Sequence, residues 1–584
     1  MHTVETDVLI VGSGPAGSSA ALALSTYGVP NIVVTRYASL ADTPRAHITN
    51  QRTMEVLRDL GVEDEVVAKA TPQQLMGNTV FCTSLAGEEL GRLRSWGNEP
   101  LVQAEHELAS PSRMCDMPQH LMEPILADAA VARGTSLRFE TEYLSHVQDA
   151  DGVTTTVKDR LRGDIYEIRA KYLIGADGAR SRVAENARLP TVGQMGVAGS
   201  INILFEADLS KYTAYRPSTL YWVLAPGATV GGIGAGLVRC VRPWNEWMIV
   251  WGYDLAAGAP DLTEEYAVSV VRRLIGDDDI PVTITSSSAW TVNHLYAENY
   301  QDGRVLCAGD AVHRHPPSNG LGSNTSIQDA YNLAWKLKLV LDGTAGPSLL
   351  NTYTAERAPI GKQVVERANK SIGETAPVFE ALDGLSPQTP EQLWANIAGR
   401  KDTTEAAEKQ REQLREAIAS KAYEFNAHGV EMNQRYASDA IVSDGTEDPG
   451  FDRDPELHHQ PSTRPGAKLP HAWITRGREQ LSTLDAAGRG RFALFTGIGG
   501  DDWTCAATTA TETLGVELAT VVIGPGQEYE DPYGDWARLR DIADSGVLLV
   551  RPDHHIAFRH AHATASGDAE VLLTAALRQI LGHG

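Results

Sequence analysis

"GDAVHRHPPSNGLGSNTSIQDAYNLAWKL", residues 309–337, places an acid, two histidines, paired prolines and a glycine loop directly ahead of a helical pattern. Ile327, Ala330, Tyr331 and Ala334 recur at i, i+3, i+4 and i+7, so a helix is predicted whose N-terminus opens on Gly320 and Gly322. Asp310, His313 and His315 have the residue types of a facial metal triad. Pro316 and Pro317 stiffen that segment, however, and no fourth ligand is evident, so no metal is expected. A glycine-fed helix N-terminus instead suits negative charge on a large, flat partner. Reduced flavin is such an anion.

Working outward, a second glycine loop lies at the other end of the chain. Val8 to Val11 form an apolar run that stops at GSGPAG, and Ala20 to Leu24 suit a helix, giving strand, glycine turn and helix. In that pattern Gly12 makes the turn, Gly14 admits a diphosphate to the backbone, and Gly17 lets helix and strand approach, with Pro15 and Ala16 opening the helix. The following strand, Asn31 to Val34, ends in Thr35 and Arg36 where an acid for the adenosine ribose is usual. A threonine hydroxyl remains a candidate for that contact. Two later apolar runs end in acids: Tyr172 to Ile174 lead to Asp177, and Val305 to Cys307 lead to Gly309 and Asp310. Ligands of open parallel sheets bind beyond the carboxyl ends of strands, so these acids are candidates for hydroxyls of one extended dinucleotide.

At 584 residues and 42% hydrophobic the chain exceeds one ordinary core, so several domains are expected. The net charge of -24 argues against nucleic acid or an anionic membrane as partner. The five cysteines are scattered and never form CxxC, which fits a reducing compartment without a disulfide framework. MHTVETDVLIVG has no basic region before its apolar run and no stretch suits a bilayer, so a cytoplasmic location is expected.

The segments GSGPAG, GADGARSRV and GDAVHRHPPSNGLGSN together resemble the three fingerprints of the FAD-dependent aromatic hydroxylases of the para-hydroxybenzoate hydroxylase type. PRAHITNQRTMEVLRDLG (44–61), ASPSRMCDMPQ (109–119), VRPWN (241–245) and STRPGAKLPHAW (462–473) are similar to the phenol-hydroxylating branch, over nearly the whole chain. The second fingerprint departs in having Ala184 where an arginine is usual. The resemblance implies noncovalent FAD, transient NADH in preference to NADPH, and ortho hydroxylation of a phenol by O2 through a flavin C4a-hydroperoxide, giving a catechol. It also implies a homodimer or homotetramer. The same chemistry on a polycyclic phenol stays open, as do a plain FAD-containing oxidoreductase and a flavin carrier.

By the same resemblance His47 is the first candidate for the base that meets the phenol proton, with Asp116 as its support or alternate. Read from the residues alone, His47 is rather a structural turn histidine and Asp116 a helix N-cap, since Gln119 and Glu123 follow at helical spacing. Arg45 is carried over to the FAD phosphates, Gln119 to the flavin or its ribityl chain, Asp310 to a ribityl hydroxyl, and Gly322, Ser323 and Asn324 to the pyrimidine edge. Arg242 resembles a mobile pocket arginine, its other reading being a strand-end charge. Trp222, Trp251 and Pro317 are the expected pocket lining.

The fold class is α/β. A discontinuous Rossmann-like FAD domain is expected at 1–75, 110–190 and 290–370, around a substrate-binding sheet at 76–109 and 191–289. The apolar stretches INILFEADL (201), STLYWVLAPG (218) and WMIVWGYDL (247) suggest that sheet. Residues 371–454, charged and helical as in TTEAAEKQREQLREAI, are expected to be a linker or dimer surface. Residues 455–584 resemble a thioredoxin-like domain. Cys505 is its only cysteine, which excludes dithiol chemistry.

Overall fold

A computed structural model of the chain describes residues 3–224, 235–382 and 389–583. Residues 225–227, the end of STLYWVLAPG, and 383–388, within the segment 371–454, lie outside the described residues. The run at Val8 to Ile10 is fully buried because it is the middle of a parallel sheet with both faces covered. The parallel core runs Val305–Cys307, Ile165–Gly175, Thr3–Val11, Asn31–Val34 and Ser136–Arg138. The ends of these strands are stitched together: Gly12 N–H donates to Val34 O at 2.8 Å, Ala176 to Val11 at 2.8 Å, and Ala308 to Gly175 at 3.0 Å. Segments far apart in sequence therefore share one sheet edge, where an extended ligand can reach them all.

A second, eight-stranded sheet lies between pieces of that core, ordered His313–Arg314, Thr283–Ala297, Thr191–Glu206, Glu246–Tyr253, Ala235–Arg242, Ser218–Leu224, Asn78–Cys82 and Glu89–Arg94. Its two faces differ because side chains alternate along each strand. One carries Tyr221, Val223, Val238, Trp247, Ile249 and Trp251 and is sealed by the helix Glu264–Ile275. Thr263 caps that helix and Gly276, at φ +76°, ends it. The other face carries Leu220, Trp222, Leu237 and Arg239. The expectation that Trp251 lines the pocket is thereby corrected: at odd parity to the pocket-facing residues it packs with Leu274 under the helix, and Arg273 lies 5.5 Å over its ring.

The segment expected as a helical linker or dimer surface includes a helix packed on the second sheet. The helix Glu405–Ser420 buries Leu414, Ala417 and Ile418 against the same cluster as Phe81, Trp222 and Phe379. Burying Leu414 and Ile418 alone is worth several kcal/mol at about 1.5–3 kcal/mol each, which holds this helix against the sheet.

The C-terminal region orders its sheet Leu518–Val522, Phe492–Thr496, Val547–Val550, Ile556–His560, with only the first pair parallel. The helices Asp501–Leu514 and Ser566–Ile580 pack on one side of it, the thioredoxin-like arrangement. Trp503, Leu573 and Leu577 merge with the FAD-domain core, and Trp335 meets Phe492 edge-on at 5.9 Å. Among the described residues no helix is long and apolar enough to cross a membrane.

Candidate active site

The three glycines of GSGPAG separate into two kinds. A Cβ on Gly12 would stand 2.1 Å from Ala176 O, and one on Gly17 would stand 2.0 Å from Gly12 O, so both are required by packing. A Cβ on Gly14 would meet nothing of the protein nearer than Glu123 Oε1 at 3.9 Å, so glycine there leaves space for a ligand. The helix Pro15–Thr26 that follows has no side-chain cap, and neither has Gly322–Leu341. Their first-turn N–H groups are open to anionic or carbonyl groups of a ligand. Gly309, at φ +64°, turns the chain so that Asp310 presents an exposed carboxylate at the same edge. Gly320 is also left-handed, and Pro317, Gly322 and Ser323 stay accessible beside it. A dinucleotide with a flat ring system fits this arrangement: Gly14 and the first helix for the diphosphate, Asp310 for a hydroxyl, and the second helix for the ring.

Some expected cofactor contacts are already engaged within the protein. Asp177 accepts from Ser181 Oγ at 2.5 Å, Arg182 N at 2.8 Å and Val183 N at 3.2 Å, so its carboxylate caps a short helix. Ser181 accepts from Ala184 N at 2.9 Å in the same cap. Asn324 accepts from Asn50 N at 3.0 Å and donates to Ile48 O and Gly320 O, which leaves its backbone rather than its amide for a ring edge. Thr35 is buried with its backbone paired to Arg138 and Thr141, whereas Arg36 and Arg45 are exposed. Gln119 donates to Glu123 at 2.6 Å. Ala16 packs inside the first helix, and His313 and His315 turn to different partners, Asp329 and Pro316 O.

The candidate pocket residues come together where a small sheet joins distant segments. Ile48–Thr49 pairs antiparallel with Cys115–Asp116, Ile48 opposite Asp116, and Met117 N–H donates to His47 O at 2.6 Å. This brings His47 Nδ1 to 3.1 Å from Asp116 Oδ2. The approach lacks hydrogen-bond alignment, and His47 Nδ1 and Asp116 Oδ1 are both buried without a partner. The helix-cap reading of Asp116 gives way here, since the helix Gln119–Ala132 begins without any side-chain cap.

The residue not foreseen from sequence is Arg239. It projects from the pocket face of the strand Ala235–Arg242, fully buried, and its Nη1 donates to the carbonyls of Pro44 and Arg45, the latter at 2.8 Å. Its Nε and Nη2 have no partner, and neither has Trp222 Nε1 on the same face. Each such group costs about 1–3 kcal/mol when left unsatisfied, a penalty that a polar ligand removes. Burial pushes Arg239 down to about 10, with Asp116 opposing, so it stays charged at neutral pH. Burial and then the Arg239 charge lower His47, against Asp116, so its imidazole is neutral. Arg242, farther along the strand and half-buried, acts electrically on His120 instead. The available signal was Arg239 standing in mid-strand between the apolar pairs Leu237–Val238 and Cys240–Val241.

Residues 5–368 match the FAD binding domain family, and residues 462–584 match the family described as aromatic-ring hydroxylase, C-terminal. A 2,4-dichlorophenol 6-monooxygenase of Delftia acidovorans is 57% identical, over 99% of this chain and 98% of that protein. A phenol 2-monooxygenase of Pseudomonas sp. (strain EST1001) is 53% identical over 96% and 90%. The structure of the flavin-dependent monooxygenase PieE in complex with FAD and substrate superposes with a TM-score of 0.95 at 45% identity, over 100% of both chains. Similarity of this extent, running through the dinucleotide edge, the pocket sheet and the C-terminal domain alike, makes the chain a member of the FAD-dependent aromatic-ring hydroxylases.

Proposed function

We propose that the protein hydroxylates a monocyclic phenol at the ortho position, consuming O2 and a reduced nicotinamide and yielding a catechol. The observation that carries this reading is the set of orphaned buried polar atoms on Asp116, Arg239 and Trp222 beside the imidazole of His47. A phenol has a polar edge for such atoms and a flat apolar body for the surrounding side chains. The relatives at 57% and 53% identity take a dichlorophenol and phenol by name, and support the monocyclic choice.

A phenol with a pKa near 10, like tyrosine, is mostly protonated at neutral pH, while electrophilic oxygen transfer needs the phenolate. His47 is neutral and its Nδ1 is turned to Asp116, so Nε2 takes the phenol proton. Asp116 holds the ring and offsets the charge that His47 acquires. Arg239 steadies the phenolate through its free N–H groups, and the apolar face around Trp222 and Phe81 excludes water. FAD, when bound, supplies the activated oxygen.

The test is consumption of NADH and of NADPH against a panel of ortho-substituted phenols, with product mass showing one added oxygen. His47→Ala should lose less on chlorinated phenols already ionised near neutrality than on ordinary phenols of equal size. Equal losses on both would remove His47 as the base. No oxygen incorporation with any phenol would overturn the reading itself.

A further inference from the structure

Asp329 lies on the helix Gly322–Leu341, completely buried, and the chemistry above does not use it. Its Oδ2 accepts from the N–H of Gly309 at 3.1 Å and stands 2.8 Å from His313 Nε2, while Oδ1 accepts from Arg357 Nε at 2.7 Å. Gly309 is the left-handed residue on which the chain turns to present Asp310. One buried carboxylate therefore ties down the loop that offers its neighbour to the cofactor.

The contacts continue away from the site. Arg357 Nη1 donates to Tyr436 Oη at 3.0 Å, and the Tyr436 ring stacks on His555 of the C-terminal domain at 4.0 Å. Beside Arg357, Glu356 accepts from Arg551 at 2.5 and 2.9 Å and from Lys336 at 2.7 Å. Arg551 also pairs with Asp553 at 2.5 Å. The charges balance pair by pair, as buried ions must. The chain of contacts from His555 to Gly309 is thus unbroken and buried.

We propose that Asp329 is a positioning residue for FAD: it fixes the Gly309–Asp310 turn, and the C-terminal domain fixes Asp329 in turn through His555, Tyr436 and Arg357. This gives the thioredoxin-like domain, which has no dithiol, a part in cofactor binding. It rests on the reading of Asp310 as a partner of a ribityl hydroxyl. Spatial continuity alone does not establish coupling, so the test measures coupling directly.

Apoprotein is titrated with FAD, the Kd is read from flavin fluorescence, and the melting temperature is recorded beside it. Asp329→Asn should raise the Kd ~tenfold and Tyr436→Phe ~fivefold, within the ordinary range of coupling between sites. The double variant should raise it by less than the product of the two, because both act through Arg357. Arg58→Met serves as the control. It breaks the Arg58–Asp485 bridge (2.7 Å) at the same domain interface without touching the path, and should lower the melting temperature but leave the Kd unchanged. Tyr436→Phe keeps the ring stack and carries the test should Asp329→Asn fail to fold. An unchanged Kd for Tyr436→Phe, or strictly multiplicative effects in the double variant, overturns the proposal. Absence of FAD binding by the unsubstituted chain would overturn the functional reading instead.

Discussion

Two buried polar clusters stand within the same molecule and are opposites. In the one around Asp329, Arg357, Glu356 and Arg551, every carboxylate oxygen and guanidinium nitrogen has a partner within the protein. In the one around His47, Asp116 and Arg239, four side-chain atoms have none. Asp116 and Arg239 are as deeply buried as the first cluster, with only His47 partly exposed, so burial does not distinguish the charged groups. Pairing of the charged groups does: closed ion pairs hold structure together even with His313 Nδ1 unpaired beside them, and open ones can take a ligand.

The comparison is sharpest when one charge is removed from each cluster. Glu356→Ala leaves Arg551 and Lys336 buried without their shared carboxylate, and should cost ~3–5 kcal/mol of stability, read as a large fall in melting temperature. Arg239→Met should do the reverse in kind, lowering kcat/KM for the phenol by ~tenfold to a hundredfold, the worth of a charge-assisted hydrogen bond, with a smaller thermal shift than Glu356→Ala. A thermal shift as large as that of Glu356→Ala would show Arg239 to be structural, and the contrast would collapse.

His47→Ala should bind FAD and be reduced normally, yet hydroxylate about a hundredfold more slowly and release hydrogen peroxide. Its depressed proton affinity also sets a pH direction. Base competence is kept above pH 6.5 and lost only as pH falls through the lower value of the folded site.

A neighbouring buried pair offers a stability counterpart. His106 stacks on His428 at 3.8 Å, both of its ring nitrogens lack partners, and burial brings it from 6.5 to about 4. Because the folded value lies below the unfolded one, the stability it contributes is present above pH 6.5 and drains away as pH falls toward 4. The loss is at most ~1.4 kcal/mol per pH unit. His106→Phe should flatten the fall of melting temperature across that window, and an unchanged slope would rule it out.

The two faces of the pocket sheet give a smaller contrast. Trp222→Phe should raise KM severalfold with little effect on melting temperature, whereas Trp251→Phe should lower the melting temperature and leave KM alone. Smallest of all, Cys505→Ser at an exposed position in the second turn of Asp501–Leu514 should leave turnover within about twofold, measured as phenol-dependent NADH oxidation.

Sequence by itself determined what depends on short-range pattern. The strand, glycine and helix units at Val8–Leu24 and Val305–Leu337 are written in contiguous residues, because glycine torsions and apolar periodicity are local properties. Gly12, Gly14, Gly17 and Asp310 could be singled out as candidates for that reason, and the family resemblance proposed His47 and Asp116. Tertiary structure decided whatever depends on which face a side chain takes and what else reaches it. Trp222 and Trp251 look alike in an apolar strand, yet strand pairing puts them on opposite faces. Asp177 and Asp310 both end apolar runs, but one is consumed by a helix cap and the other stands open. Arg239 became visible as a pocket residue only once the carbonyls of Pro44 and Arg45 were seen to take one of its nitrogens and leave two unpaired. The physical reason is that hydrogen-bond satisfaction is a property of three-dimensional neighbourhoods, in which partners nearly two hundred positions apart decide whether a buried charge is finished or waiting.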